Sequence, residues 1–537
     1  MKPTSLVISS SRTRAATSHP HRSLIPTLLS AVALCSLGSP ARADHEPGFR
    51  TTVFPYAVSL SSEYTTQAII SAGDRVPHTR IQDRQFQMIG VPDGMGVYRS
   101  GHKTTTLLLN HELAEGAKSE PVVGQPLYRG AFVSKFVLND EAEVLSGEVA
   151  YDTVLDSETG IVGLPARTDN TERVFRRFCS GTLAWQDVGF DRPIYLCGEE
   201  SAAPDTFDTR GGLAVAIVNQ QLITLPHLGR FQHENLPVRP VPSRQTVLVL
   251  MEDNGSGFDS QLYLYVGEKD RRAPQSDVLA RNGLVGGKLY AFVPTTPGVL
   301  NESQFQVGTL SGKWVEIESV GALSESQLEA ASDAIGAFGM IKAEDGAWSK
   351  SNPNEFFFNT TGDGANSPAV VGNHFGRTYR LNLNKHDITG PCSLSILYNA
   401  DAVVAAGGDI ALTPDNIDTS KDYLMVCEDG TGFSRTLMAN RHRQSQIWRY
   451  DLRQNYLAEP VVSLVASGRD GAVPAPGVWE TSGIINTERT YGRNSWLFTV
   501  QAHPPTAAPA PNTVEDGQIV LLRPTRCDQE SDHDDND

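Results

Sequence analysis

The sequence has 537 residues, 39% hydrophobic and 20% charged, a globular composition that excludes wholesale disorder and supplies a large core. Its net charge of −17 at pH 7 excludes the electrostatic footprint of nucleic-acid or anionic-lipid binding and is compatible with divalent cations.

Residues 1–43 carry one Lys, four Arg and no acid, with an apolar run near residues 24–37 and the small-residue site Ala41-Arg42-Ala43. They read as a secretory signal cleaved after Ala43, since the run is shorter than the roughly 20 residues that span a bilayer. Leu34 precedes Cys35, where a lipoprotein signal wants a small residue, so no stable membrane anchor is expected. Removing the five cations takes the net charge to −22 and leaves five cysteines, Cys179, Cys197, Cys392, Cys427 and Cys527. An odd number leaves at least one thiol unpaired within the chain. Residues 527–537 hold six acids and read as a solvated, disordered acidic tail.

Between these ends, residues 44–526 read as strands and turns, with one helical window at residues 324–342. Six runs share one form, about five apolar residues ending in polar or acidic ones. They are 106–112 (TLLLNHE), 193–200 (PIYLCGEE), 246–254 (TVLVLMEDN), 355–363 (EFFFNTTGD), 422–429 (DYLMVCED) and 496–503 (WLFTVQAH). Several are followed by a second strand with aromatic residues: 261–266, 377–383, 446–452 and 518–522. One hairpin repeated six times predicts an all-β, six-bladed β-propeller with loop insertions. A β-sandwich is the alternative, but it gives no reason for the same end of each unit to carry charge. In a propeller, equivalent strand ends converge on one mouth of the central channel. Carboxylates gathered there coexist only if protonated or neutralised by cations, so metal binding is expected. Oxygen donors favour Ca²⁺ or Mg²⁺, and a thiolate or imidazole among them admits iron or zinc.

Single motifs sharpen the candidates. Cys179 in RRFCSGTLAW sits in a Gly-containing turn, where both a metal ligand and a disulfide to Cys197 remain open. Glu199 and Glu200 are adjacent, so at most one faces the channel unless the strand ends there. Residues 229–234 (GRFQHE) combine Arg230, His233 and Glu234, a grouping that more often makes surface salt bridges. The pairs Glu252-Asp253 and Glu428-Asp429 repeat at two strand ends; turn preference before Gly accounts for the aspartates, which favours Glu252 and Glu428 as ligands. Glu344-Asp345 after Lys342, and Pro414-Asp415-Asn416, are weaker signals. The chain lacks G-x-S-x-G, H-E-x-x-H, Walker and Rossmann patterns, which removes serine-hydrolase, zincin and nucleotide-binding readings.

Taken in order, residues 90–99 (GVPDGMGVYR), LLLNHEL, the Cys179 turn with CGEE, GRFQHEN, MEDN with QLYLYVG, KAEDGAW, PDN and CEDG resemble the PhoX-type secreted alkaline phosphatases. GVWETSGIIN and VQAH are similar to the end of that family. The resemblance implies an alkaline phosphatase-like phosphoric ester hydrolase acting on small-molecule phosphate esters at a cluster of Fe³⁺ and Ca²⁺; a monomer is expected, exported by its signal to the periplasm or medium. It implies Cys179, Glu199 or Glu200, Glu252 and Glu344 as metal ligands, with Asn110, Glu112, Asp415 and Glu428 at calcium positions. Lys342 and Arg230 are then the cations expected to neutralise charge on the transferred group. Two departures stand near the inferred site. Lys342 occupies a position where the family carries Arg, and an ammonium lacks the two-pronged geometry of guanidinium. The Cys179 turn continues GTLAWQ where the family tends to have Thr-Pro-Trp-Gly. Reduced phosphatase activity or another ester substrate is compatible with both. A calcium-stabilised non-catalytic binding propeller, or a related lactonase or phytase-like hydrolase, is the alternative.

Overall fold

The computed structural model of the chain describes residues 47–254, 257–364 and 372–525. The expected signal at 1–43 and the acidic tail with Cys527 lie outside the described residues.

Each predicted hairpin is present. The apolar runs form strands Thr104–His111, Ile194–Glu199, Gln245–Met251, Glu355–Thr360, Tyr423–Glu428 and Trp496–Ala502. The expected helix is Glu325–Ile335; Ser324 caps its start, accepting from the Gln327 amide, and Gly336 ends it in the left-handed region. A continuous apolar run such as Glu355–Thr360 is buried on both faces. Phe356 and Phe358 pack into one hydrophobic cluster and Phe357 into the next.

These strands are second, not first, in their sheets. An additional strand precedes each in five of the six units: Pro92–Arg99, Phe178–Ala184, Ala343–Trp348, Pro414–Thr419 and Glu480–Asn486. In the remaining unit an irregular segment takes that place, bridging His233 to Glu252 and Val238 to Leu248. From the leading strand outward the first unit is antiparallel, in the order Pro92–Arg99, Thr104–His111, Phe132–Asn139, Val144–Val149, and the second unit adds a parallel pair, Gln221–Thr224 with Thr153–Leu155. The third and fourth units join along Thr309–Ile317 and Cys392–Asn399 into one eight-stranded sheet. The last unit borrows its outer strand, Tyr64–Ser71, from the start of the chain, where it pairs with Asp516–Pro524.

Apolar side chains fill the spaces between successive units, and the last unit shares a cluster with the first through Ile70, Leu497, Ile519 and Leu521. Leading strands touch one another: Pro92–Arg99 lies against Phe178–Ala184 and Glu480–Asn486, and Pro414–Thr419 against Ala343–Trp348 and Glu480–Asn486. The chain is therefore mostly β, built of six largely antiparallel units packed face to face. Among the described residues no helix is long and apolar enough to cross a membrane.

Candidate metal centre

The leading strands start in register. Pro92 pairs with His111, Phe178 with Glu199, His233 with Glu252, Ala343 with Thr360 and Pro414 with Glu428. One residue further along each leading segment stands a potential ligand: Asp93, Cys179, Glu234, Glu344 and Asp415, with Glu480 opening the sixth. One residue beyond each second-strand partner stand Glu112, Glu200, Asp253, Thr361 and Asp429. A set of donors from several units is thus assembled by one repeated register.

Their ligand atoms approach closely. Asp93, Glu112 and Cys179 lie within 4.8 Å of one another; so do Cys179, Glu200 and Glu234, and so do Glu234, Glu344 and Asp415. The three groups share members and form one continuous cluster. The Cys179 thiol donates to Glu200. Two cations face the acids. Lys342 Nζ is 3.1 Å from Asp253 and 3.4 Å from Glu344, and Arg177 is 2.9 Å from Glu112 and 2.8 Å from Glu200.

The electrostatics are those of an overcrowded site. Burial, reinforced by neighbouring acids, pushes Asp93, Glu200, Glu234, Asp415 and Glu480 well above the usual carboxylate range. Burial and Asp253 bring Glu344 up to about 8 despite Lys342. Burial also raises the Cys179 thiol, helped by Glu112 and Glu200. Glu112 alone among these is held below its ordinary value: burial pushes it up, but Arg177, Gln501 and His503 outweigh that. Asp253 Oδ1 is buried without a hydrogen-bond partner. Two side-chain cations cannot balance this many buried acids, so the donor set fits bound multivalent cations. Carboxylate oxygens suit a hard ion such as Ca²⁺, and the Cys179 sulfur admits a transition metal beside it.

Below the cluster, leading-strand residues one or two positions further along, Ser180, Asn416 and Ser482, close a polar floor. Ser180 donates to Glu234 (3.0 Å), Asn416 to Ser180 (3.2 Å), and Ser482 to Asn416 (2.6 Å) and to Asp93. Beyond the floor a cavity of about 760 Å³ is lined by Asn235, Asp345, Trp348, Ile417 and Ile484, and by none of the clustered acids.

Of the residues expected from sequence, Cys179, Glu200, Glu344, Glu112, Asp415 and Lys342 are brought together. The others point elsewhere. Glu199 accepts from the backbone amides of Arg176 (3.1 Å) and Phe207 (3.0 Å), and burial lifts it to about 8. Glu252 accepts from the Gln261 amide and the Tyr263 hydroxyl, both at 3.3 Å. Glu428 is gripped by Arg443 at 2.6 and 2.9 Å and by the Leu412 and Gln446 amides. Asn110 donates to the carbonyls of Cys179 (2.9 Å) and Ser180 (3.0 Å) and accepts from Tyr195, so it fixes the cysteine turn from behind. Arg230 is fully buried and committed to Asp208 and Glu158, both at 2.9 Å. The reason is strand alternation: the residue paired to the leading strand faces the inter-sheet core, and its successor faces the mouth. The expected ligands Glu252 and Glu428 are therefore one residue off from Asp253 and Asp429. Asp93, Glu234, Glu480 and Arg177 are not among the expected site residues, although they lie in the motifs GVPDGMGVYR, GRFQHEN, GVWETSGIIN and RRFCSGTLAW. The alternative of a Cys179–Cys197 disulfide is not realised: Cys179, Cys197, Cys392 and Cys427 are all free thiols.

The family model for alkaline phosphatase PhoX matches residues 217–454. No curated protein matches the chain by sequence search. Among solved structures, the fold is similar to that of Pseudomonas fluorescens PhoX in complex with vanadate, a transition state analogue. That match has 14% identity and a TM-score of 0.59, and covers 90% of this chain and 97% of that one. A luciferin-regenerating enzyme also matches, with 8% identity over 81% of this chain and 92% of that one and a TM-score of 0.31.

Proposed function

This chain is of the PhoX alkaline phosphatase type, matched by that family's model over residues 217–454, and from that premise we propose that it is an exported metal-dependent phosphatase with its site in the acidic cluster. Its six units form a six-bladed β-propeller, a reading supported by the leading strands in mutual contact and by hydrophobic clusters that link the last unit to the first. The observation that carries the functional reading is the run of overlapping donor groups from Asp93 to Asp415, buried together at equivalent strand positions.

Cys179, Glu200, Glu234, Glu344 and Asp415 would hold the ions, with Asp93, Glu112 and Asp253 beside them; we propose Ca²⁺ and Fe³⁺. Bound there, the ions would supply Lewis-acid polarisation of phosphoryl oxygens and lower the pKa of water. The chain's own residues set the conditions for that chemistry. Lys342, anchored by Asp253 and Glu344, places a positive charge beside the acids, where it neutralises charge developing on the transferred group. The Ser180–Asn416–Ser482 floor fixes Glu234 and Asp93 and closes the lower side of the site. Asn110 and Tyr195 hold the cysteine turn so that the sulfur faces Glu200. Export through residues 1–43 belongs to the same reading, on their cationic start, apolar run and small-residue site.

Turnover of an aryl phosphate by the purified chain, before and after dialysis against a strong chelator, tests the proposal. Hydrolysis that disappears with chelation and returns with added metal is expected. Hydrolysis indifferent to chelation, or none in the metal-replete chain, would reject it.

A further inference from the structure

Arg177 stands out among the residues around the cluster. Its backbone is in the left-handed region, φ 44°, as are those of the residues just before three other leading strands, Val91 (φ 49°), Lys342 (φ 54°) and Thr413 (φ 47°), and what sets Arg177 apart is its exposed guanidinium. Two hydrogen bonds lock it there: its amide donates to the Leu113 carbonyl (3.1 Å), and its carbonyl accepts from the Glu200 amide (3.0 Å). The outcome is a guanidinium thrown over the mouth. Nε meets Glu112 at 2.9 Å and Nη2 meets Glu200 at 2.8 Å, while Nη1 makes no hydrogen bond among the described residues. The side chain is 47% exposed, against 26% for Lys342 and 0% for Arg230. Strain of this kind is retained where the surroundings enforce it, and it clusters at functional sites.

The position is also electrostatically paired with Lys342. Glu200 and Asp253 both feel Arg177, and Glu200 and Asp253 both feel Lys342. The two cations therefore flank the same acids, one presenting a planar fork and the other a point charge. A fork with free N–H groups matches two oxygens of a phosphoryl group, which a lone ammonium does not.

We propose that Arg177 is a substrate-binding residue that grips the phosphoryl oxygens of a dianionic phosphate monoester across the mouth from Lys342. The inference rests on the phosphatase reading for the nature of the anion, and on geometry alone for the residue. Arg177 is tied to Glu112 and Glu200 and still offers unused donors outward, so it serves the site from the solvent side.

Inorganic phosphate binding to the metal-loaded chain, measured by calorimetry, tests this without relying on turnover. Arg177→Gly suits the backbone conformation, and Arg177→Lys keeps the charge but loses the fork. Both should retain the parent's metal content by elemental analysis. The dissociation constant for phosphate should rise by about tenfold or more in Arg177→Gly, and KM for an aryl phosphate should rise with it. Arg177→Lys should restore only part of the affinity. Unchanged phosphate affinity in both variants would overturn the inference, as would metal lost in parallel with phosphate, which would make Arg177 a brace for the carboxylates. A parent chain that binds phosphate through Arg177 yet hydrolyses no ester would sink the phosphatase reading and leave this inference standing. Full turnover with affinity indifferent to Arg177 would do the reverse.

Discussion

At the scale of single residues, neighbouring acids have opposite fates. Asp253 aims at Lys342 and the cluster, with one oxygen unpartnered, whereas Glu252 turns inward to Gln261 and Tyr263. Burial holds Glu252 well above the usual carboxylate range, so its neutral form is the one the fold favours. Glu252→Gln, a neutral isostere, should therefore leave metal content unchanged by elemental analysis and alter thermal stability little. Asp253→Asn should lower kcat by roughly 10- to 100-fold and reduce bound metal, in line with losses seen when groups supporting a metal site are removed. Equal effects of the two substitutions would refute the assignment. The sequence marked both Glu-Asp pairs as unusual, but a strand end does not announce which of two adjacent residues is the last to face the core. That depends on pairing with the leading strand, which is a long-range contact.

At the scale of elements, the second strands were legible because three to five apolar residues in a row, bounded by polar and turn residues, have few other meanings. The leading strands were not. Pro92–Arg99, Phe178–Ala184 and Ala343–Trp348 are rich in glycine and polar residues, and they appeared only as motifs such as GVPDGMGVYR and KAEDGAW. Their glycines are there because the strands crowd together. A Cβ on Gly94 would lie 2.4 Å from the Gly181 amide and 2.5 Å from the Cys179 carbonyl, both backbone atoms. Gly94→Ala should consequently push the cysteine turn aside, lowering the melting temperature and the metal content together; loss of neither would show that the turn has slack. The segment carrying Arg230 shows the converse. Its cluster of cation, imidazole and acid is split between two jobs: Glu234 joins the metal centre, and Arg230 ties the helix approach at Gly321 and Leu323 to Asp208 and Glu158. Arg230→Gln should destabilise the chain by about 3 kcal/mol, the order seen when one partner of a buried ion pair is removed, with metal content intact. Burial would raise Asp208, but hydrogen bonds from Arg210 and Arg230 outweigh it and hold the group at about 2, below its ordinary 3.8. A depressed carboxylate contributes stability above its unfolded value and loses it as pH falls through the folded one. Asp208→Asn should thus flatten the fall in melting temperature between about pH 4 and pH 2, and an unchanged acid limb would exclude Asp208 as a source of it.

At the scale of the whole molecule, the repeat was legible as six similar strand ends and the consequence followed from charge. Equivalent positions in six packed units bring their side chains to one place, and acids brought together in a buried site need cations. The donors proved to belong to the leading strands as much as to the second ones, which enlarges the set from the expected residues to include Asp93, Glu234 and Asp253. The fold depends on that neutralisation too: with the ions removed, the acids must take up protons or repel. The melting temperature should therefore fall on chelation and recover with calcium, since ligands of the folded state stabilise it by mass action. The most direct test of the account is anomalous diffraction from crystals of the metal-replete chain. Peaks should stand among Cys179, Glu200, Glu234, Glu344 and Asp415, with the strongest nearest the sulfur. A site that binds no metal at neutral pH, its carboxyls protonated and hydrogen-bonded to one another, would contradict it.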